Sequence, residues 1–130
     1  MAQIKIYGLK PNLDENRALI SASVHNAVMS ALNYPPEKKF HRFITLEPSE
    51  FIYPGDDRSE KYIIVEISMF EGRSVEAKKA LIKGIFSNIN KQVGIAPQDI
   101  EITLFETPKE NWGIRGLPGD ELALGYTVEV

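Results

Sequence analysis

Cysteine is absent from the 130-residue chain, which excludes a disulfide framework, a thiolate nucleophile and a cysteine-ligated metal. Histidine is nearly absent too. His25 and His41 are the only two, too few for most metal sites, and no cofactor is expected. A large excess of either charge is also lacking: 15 basic and 18 acidic residues leave a formal net charge of −3. With no basic patch, a nucleic-acid partner has no electrostatic support. No apolar run approaches the roughly 20 residues of a membrane span, and nothing resembles a signal peptide. A cytoplasmic chain with no membrane partner is expected.

What the sequence does have is 43% apolar residues, enough for one domain with a core spanning residues 1–130. Their spacing reads strand, helix, strand, twice over. In residues 2–7, Ile4 and Ile6 alternate with Gln3, Lys5 and Tyr7, and Gly8 and Pro11 are expected to end the strand. Asn12 is a candidate N-cap with Glu15 in the capping-box position. The helix stripe is Ile20, Val24, Ala27, Val28 and Ala31, with His25 beside it as a solvated residue, and Pro35-Pro36 stops the helix. Phe40 to Leu46 is the second strand. The second unit repeats the order: an alternating strand from Ile63 to Phe70, a Ser74 cap, and a stripe of Ile82, Ile85, Phe86, Ile89 and Val93. Gly94 is the stop, and a strand runs through Ile100, Ile102 and Leu104.

The halves also share words. Ala18-Leu19-Ile20 matches Ala80-Leu81-Ile82, and Ile44-Thr45-Leu46 matches Ile102-Thr103-Leu104. The reading is a pseudo-repeat of residues 2–47 and 61–116, a linker at 48–60, and a last short strand at 124–130. Neither half alone buries its sheet face, so the expected fold is α/β (α+β): a tandem β-α-β repeat forming one four-stranded sheet with two helices on one face. The same order serves ferredoxin-like RNA-binding domains. Here the strand Tyr62-Ile63-Ile64-Val65-Glu66-Ile67-Ser68 lacks the basic, aromatic signature those require.

The junction Glu71-Gly72-Arg73-Ser74 carries the chemistry. A strand that passes through Gly-Arg into a helix sets a guanidinium beside free backbone N–H groups at the positive helix end. Arginine there can hold a carboxylate through two hydrogen bonds. A small carboxylate is therefore the expected ligand.

The run Ile67-Ser68-Met69-Phe70-Glu71-Gly72-Arg73-Ser74, followed by Glu76, Lys78 and Lys79, resembles the opening of the 4-oxalocrotonate tautomerase family. Ile102-Thr103-Leu104-Phe105-Glu106 with Trp112-Gly113-Ile114 resembles its end. The fused layout is similar to that of the malonate semialdehyde decarboxylase and macrophage migration inhibitory factor families. The resemblance implies a homotrimer with sites between subunits. In that chemistry an N-terminal proline amine moves a proton, arginines hold and polarise the substrate, and an aromatic shields it. Carried over, the arginines correspond to Arg73 and Arg42 and the aromatic to Trp112, with Arg115 a further candidate for substrate binding.

The chain departs from that pattern at its start, where Ala2 follows Met1. Lys38 fills the region of the decarboxylase branch's aspartate, and Glu71 the place of the first of its paired arginines. Removal of Met1 would leave a primary amine on Ala2, titrating at about 7.7–8.0 when unperturbed. An apolar pocket and nearby arginines lower that value toward neutrality, so a general base is physically available. The expected function is keto-enol isomerisation of a small 2-oxo or enol carboxylate by Ala2, Arg42 and Arg73. The alternatives are a non-catalytic trimeric binding protein that keeps the pocket, or a related decarboxylase, dehalogenase or hydratase.

Overall fold

Alternating apolar residues at the start of each unit build the two central strands. The protein, as a computed structural model, is described for residues 2–123 and 127–128. The expected strand at 124–130 falls for the most part outside the described residues. Strand β1 (Ala2–Leu9) leads through helix α1 (Lys10–Leu32) to β2 (His41–Leu46). The second unit runs from β3 (Ile63–Phe70) through α2 (Val75–Val93) to β4 (Ile100–Thr107). A small hairpin, β5 (Gly113–Ile114) and β6 (Leu117–Pro118), follows.

The sheet order is β2-β1-β3-β4. Each β-α-β unit is parallel, and the units meet through antiparallel β1 and β3. In both units the paired residue lies 37 positions on: Ile4 opposite His41, and Ile63 opposite Ile100. The repeat seen in sequence is thus a repeat in register. Ala2, Ile4 and Ile6 of β1 and Ile63, Val65, Ile67 and Met69 of β3 point to the helices and are buried. They meet Ile20, Val24 and Val28 of α1 and Leu81, Ile85 and Ile89 of α2. Burial of the larger apolar side chains among these is the main source of stability, worth about 1.5–3 kcal/mol each. The helices contact each other where Asn88 donates to the Ser23 carbonyl at 3.1 Å. The opposite face, with Tyr7, Ile44, Ile64 and Phe105, stays half-buried to exposed.

Several local readings need correction. Gly8 lies within β1 and does not end it. A Cβ there would come within 3.0 Å of the Leu13 side chain and 3.2 Å of Ile63, so glycine is what lets α1 start hard against the sheet. Helix α1 starts at Lys10 with Pro11 in its first turn, where a missing N–H costs no helical bond. Asn12 is therefore no cap: it is buried, and its amide donates to the Lys61 carbonyl at 3.0 Å. His25 is not solvated either. It is buried, and its Nε2 donates to the Pro36 carbonyl at 2.7 Å. In α2, Leu81 and not Ile82 joins Ile85 and Ile89 as a fully buried residue of the stripe.

The second helix matches its local reading. The Ser74 hydroxyl accepts from Ala77 N at 3.1 Å, and Gly94 N donates to the Asn90 carbonyl. Residues 48–60 are pinned from two sides. Buried Asp99 accepts from the Ser59 N–H and hydroxyl, each at 2.7 Å. Phe51, Tyr53 and Tyr62 form an aromatic cluster, with ring centroids 4.6–5.6 Å apart.

Candidate active site

The antiparallel register of β1 and β3 sets Ala2 opposite Met69. The start of the chain therefore lies at the end of β3 where Phe70, Gly72 and Arg73 follow. Gly72 has φ 124°, a conformation that favours glycine, and turns the chain from strand to helix. Arg73 folds back from that turn and is buried, its Nη1 donating to the Phe70 carbonyl at 3.0 Å. Burying a guanidinium demands hydrogen bonds, and Phe70 supplies one of them. The N-terminus of α2, capped by Ser74, begins at the next residue.

Ala2 is buried, with its methyl group in the core and its nitrogen 2.8 Å from the Tyr34 hydroxyl. Sequence reasoning did not single out Tyr34. It follows Asn33, whose left-handed φ of 52° ends α1, and precedes Pro35-Pro36. An aromatic held between a helix cap and two prolines is a recognisable feature, but its partner is 32 residues away.

Trp112 stands edge-on to Phe70, centroids 5.2 Å apart, and so covers the end of β3. Gly119, just past the hairpin, is packed against the same ring: a Cβ there would meet Phe70 at 3.2 Å. Glu110, Trp112, Ile114, Leu117 and Pro118 line an open hollow of about 350 Å³. Ala2, Arg73 and Trp112 are thus gathered at one end of the sheet. Arg42 and Arg115 are not. Arg42 is exposed on the helix-free face, its Nη2 donating to Gln3 Oε1 at 3.2 Å. Arg115 occupies the exposed hairpin tip, where φ values of 52° and 86° at Arg115 and Gly116 mark a type I′ turn.

His41 points to the helix side, away from Arg42, as alternation requires. Its Nδ1 lies 2.8 Å from Ser21 Oγ, and the His25 ring is edge-on at 5.9 Å. Burial, then the charges of Lys39 and His25, push its pKa down to about 4, so it is neutral at pH 7. Among the described residues, no three His, Cys, Asp or Glu side chains are placed to hold a metal ion. Nor is any described helix long and apolar enough to cross a membrane.

Comparison with known proteins bears on the family and the fold. The family model described as "Tautomerase enzyme" matches residues 38–115. A probable tautomerase, YusQ of Bacillus subtilis (strain 168), is 28% identical over 97 residues, 72% of this chain and 76% of that protein. The 2-hydroxymuconate tautomerase of Comamonas testosteroni is 40% identical over 57 residues, 44% of this chain and 90% of that protein. Among solved structures, a wild-type fused 4-OT described as a symmetric trimer superposes with a TM-score of 0.76 at 19% identity. That match covers 91% of this chain and 96% of the other, and at such identity shows a shared fold alone.

Proposed function

The chain belongs to the tautomerase superfamily in its fused, two-unit form, and from that premise we propose that it interconverts the keto and enol forms of a small 2-oxo carboxylate. The observation that carries this reading is the β1–β3 register, which puts the Ala2 nitrogen and the buried Arg73 guanidinium at the same end of the sheet. Arg73 and the first N–H groups of α2 hold the substrate carboxylate. With Met1 removed, the Ala2 amine takes the proton from the substrate and returns it to the adjacent carbon or oxygen. Trp112 shields the reacting atoms from water. Arg42, on the open sheet face, reaches the site of a neighbouring subunit in a homotrimer and polarises the carbonyl. Arg115 adds a second cation at the hairpin tip. Ala2 in place of the family's proline favours a second reading, a trimeric receptor that binds the acid and leaves it unchanged.

Substitution of Arg73 tests the shared core of both readings. Arg73→Ala should weaken binding of a 2-oxo acid such as phenylpyruvate by about 1.5–3 kcal/mol, the range for a hydrogen bond to a charged group. Arg73→Lys should recover part of it, since a point charge cannot replace the planar fork. Unchanged affinity in calorimetry, with the fold intact by circular dichroism, would leave Arg73 a structural residue.

A further inference from the structure

Buried polar groups in proteins are paired, and a buried tyrosine hydroxyl finds a partner within reach. Tyr34 is 4% exposed, and 2.8 Å from its hydroxyl stands the nitrogen of Ala2. The hydroxyl is held on a short, stiff segment. Asn33 reverses the chain at the end of α1, and Pro35 and Pro36 fix its continuation. The turn is tied down at both prolines: Pro35 O accepts from Lys38 N at 3.1 Å, and Pro36 O from His25 Nε2 at 2.7 Å. With Met1 attached, the Ala2 nitrogen is a peptide N–H and can only donate. Once Met1 is removed, the same atom is a primary amine with a lone pair.

We propose that Tyr34 is the positioning residue of the mature N-terminus, its hydroxyl oxygen accepting an N–H from the Ala2 amine so that the lone pair turns toward the transferable proton of the substrate whose carboxylate Arg73 holds. This rests on the isomerase reading of the site. The proton account balances without another reactant. The free amine keeps one N–H on Tyr34 Oη while its lone pair takes a proton from the substrate. The resulting ammonium still donates to Tyr34 Oη. It then releases one proton to the other end of the enolate, and the amine is restored. Tyr34 gains and loses no proton in the cycle. A secondary amine in the same place would keep its single N–H for Tyr34.

The test uses mature protein with the Ala2 N-terminus verified by mass spectrometry. Cyanate carbamylates the unprotonated amine, so the pH dependence of Ala2 modification reads the amine's midpoint with no substrate present. Tyr34→Phe keeps the ring and removes the acceptor. It should lower the midpoint by about half a pH unit or more, because the ammonium loses a hydrogen bond. It should also cut kcat for enol-phenylpyruvate about tenfold while KM stays within about threefold, since orientation of the base and not substrate binding is affected. A shifted midpoint in a protein with no turnover supports Tyr34 and overturns the isomerase reading alone. Normal turnover with an unmoved midpoint overturns Tyr34 and leaves the isomerase standing. Should Tyr34→Phe fail to fold, 4-fluorophenylalanine installed at position 34 fills the space of the hydroxyl with a poor, non-ionising acceptor. It should move the midpoint the same way by a smaller step, and no movement overturns the proposal.

Discussion

At the scale of single residues, the chain separates two kinds of buried polar group. Arg73 and Tyr34 are buried where the strand and helix ends converge on the N-terminus. Ser21 and His25 are buried, and His41 half-buried beside them, between α1 and β2 on the helix side of the sheet. The second cluster has a consequence for stability. His41 has a pKa pushed from 6.5 down to about 4, chiefly by burial and secondarily by Lys39 and His25. Arg17, Asp14 and Glu15 also face the cleft around it. The folded state binds its proton less readily than the unfolded state. Stability is therefore full above the unfolded pKa near 6.5 and falls as pH drops toward 4. The imidazole is partly solvated, so the loss over that window should be roughly 2 kcal/mol, short of the full linkage value. Urea titrations at pH 7 and pH 4.5 measure it, and the drop should shrink in His41→Asn. Equal pH dependence in both proteins would remove His41 as the cause.

Among the elements, α2 was legible in the sequence and α1 only in part. The reason is the range of the interactions that hold each helix. The α2 cap is local: Ser74 bonds Ala77, and Gly94 closes on Asn90. In α1, by contrast, two polar side chains are held by partners outside the helix. Asn12 looks like a cap until its bond to Lys61 is seen, and His25 looks solvated until the Pro36 carbonyl is folded over it. Arg73 could be found because strand, glycine and helix cap are contiguous. Tyr34 could not, because its neighbour is Ala2. The strand-to-helix join at Gly8 offers a clean check. Gly8→Ala would push a methyl to 3.0 Å from Leu13 and 3.2 Å from Ile63. Overpacking of this kind should cost about 1–3 kcal/mol in chemical denaturation. An unchanged midpoint would mean that α1 is free to shift from the sheet.

For the molecule as a whole, the equal register of the two units makes a pseudo-symmetric sheet with helices on one side only. Tyr7, Ile44, Ile64 and Phe105 are left on the other side, with Phe105 50% exposed. On the trimeric reading proposed above, this face is where the subunits meet. Light scattering should give a mass near three chains, and Ile64→Glu, set beside Glu66 and Glu101, should reduce it to one. A wild-type monomer at micromolar concentration would remove the route by which Arg42 reaches a site. The claim on which the rest depends is that the mature Ala2 amine is a working base. Its most direct measurement is ketonisation of enol-phenylpyruvate by wild type and Ala2→Pro, each with Met1 shown by mass spectrometry to be absent. The account predicts wild-type turnover that falls as pH drops below the amine's pKa, and turnover at least as high in Ala2→Pro, because proline supplies a secondary amine at the first strand position without requiring a ladder donor. Two inert proteins that still bind the acid would contradict it and make the site a receptor.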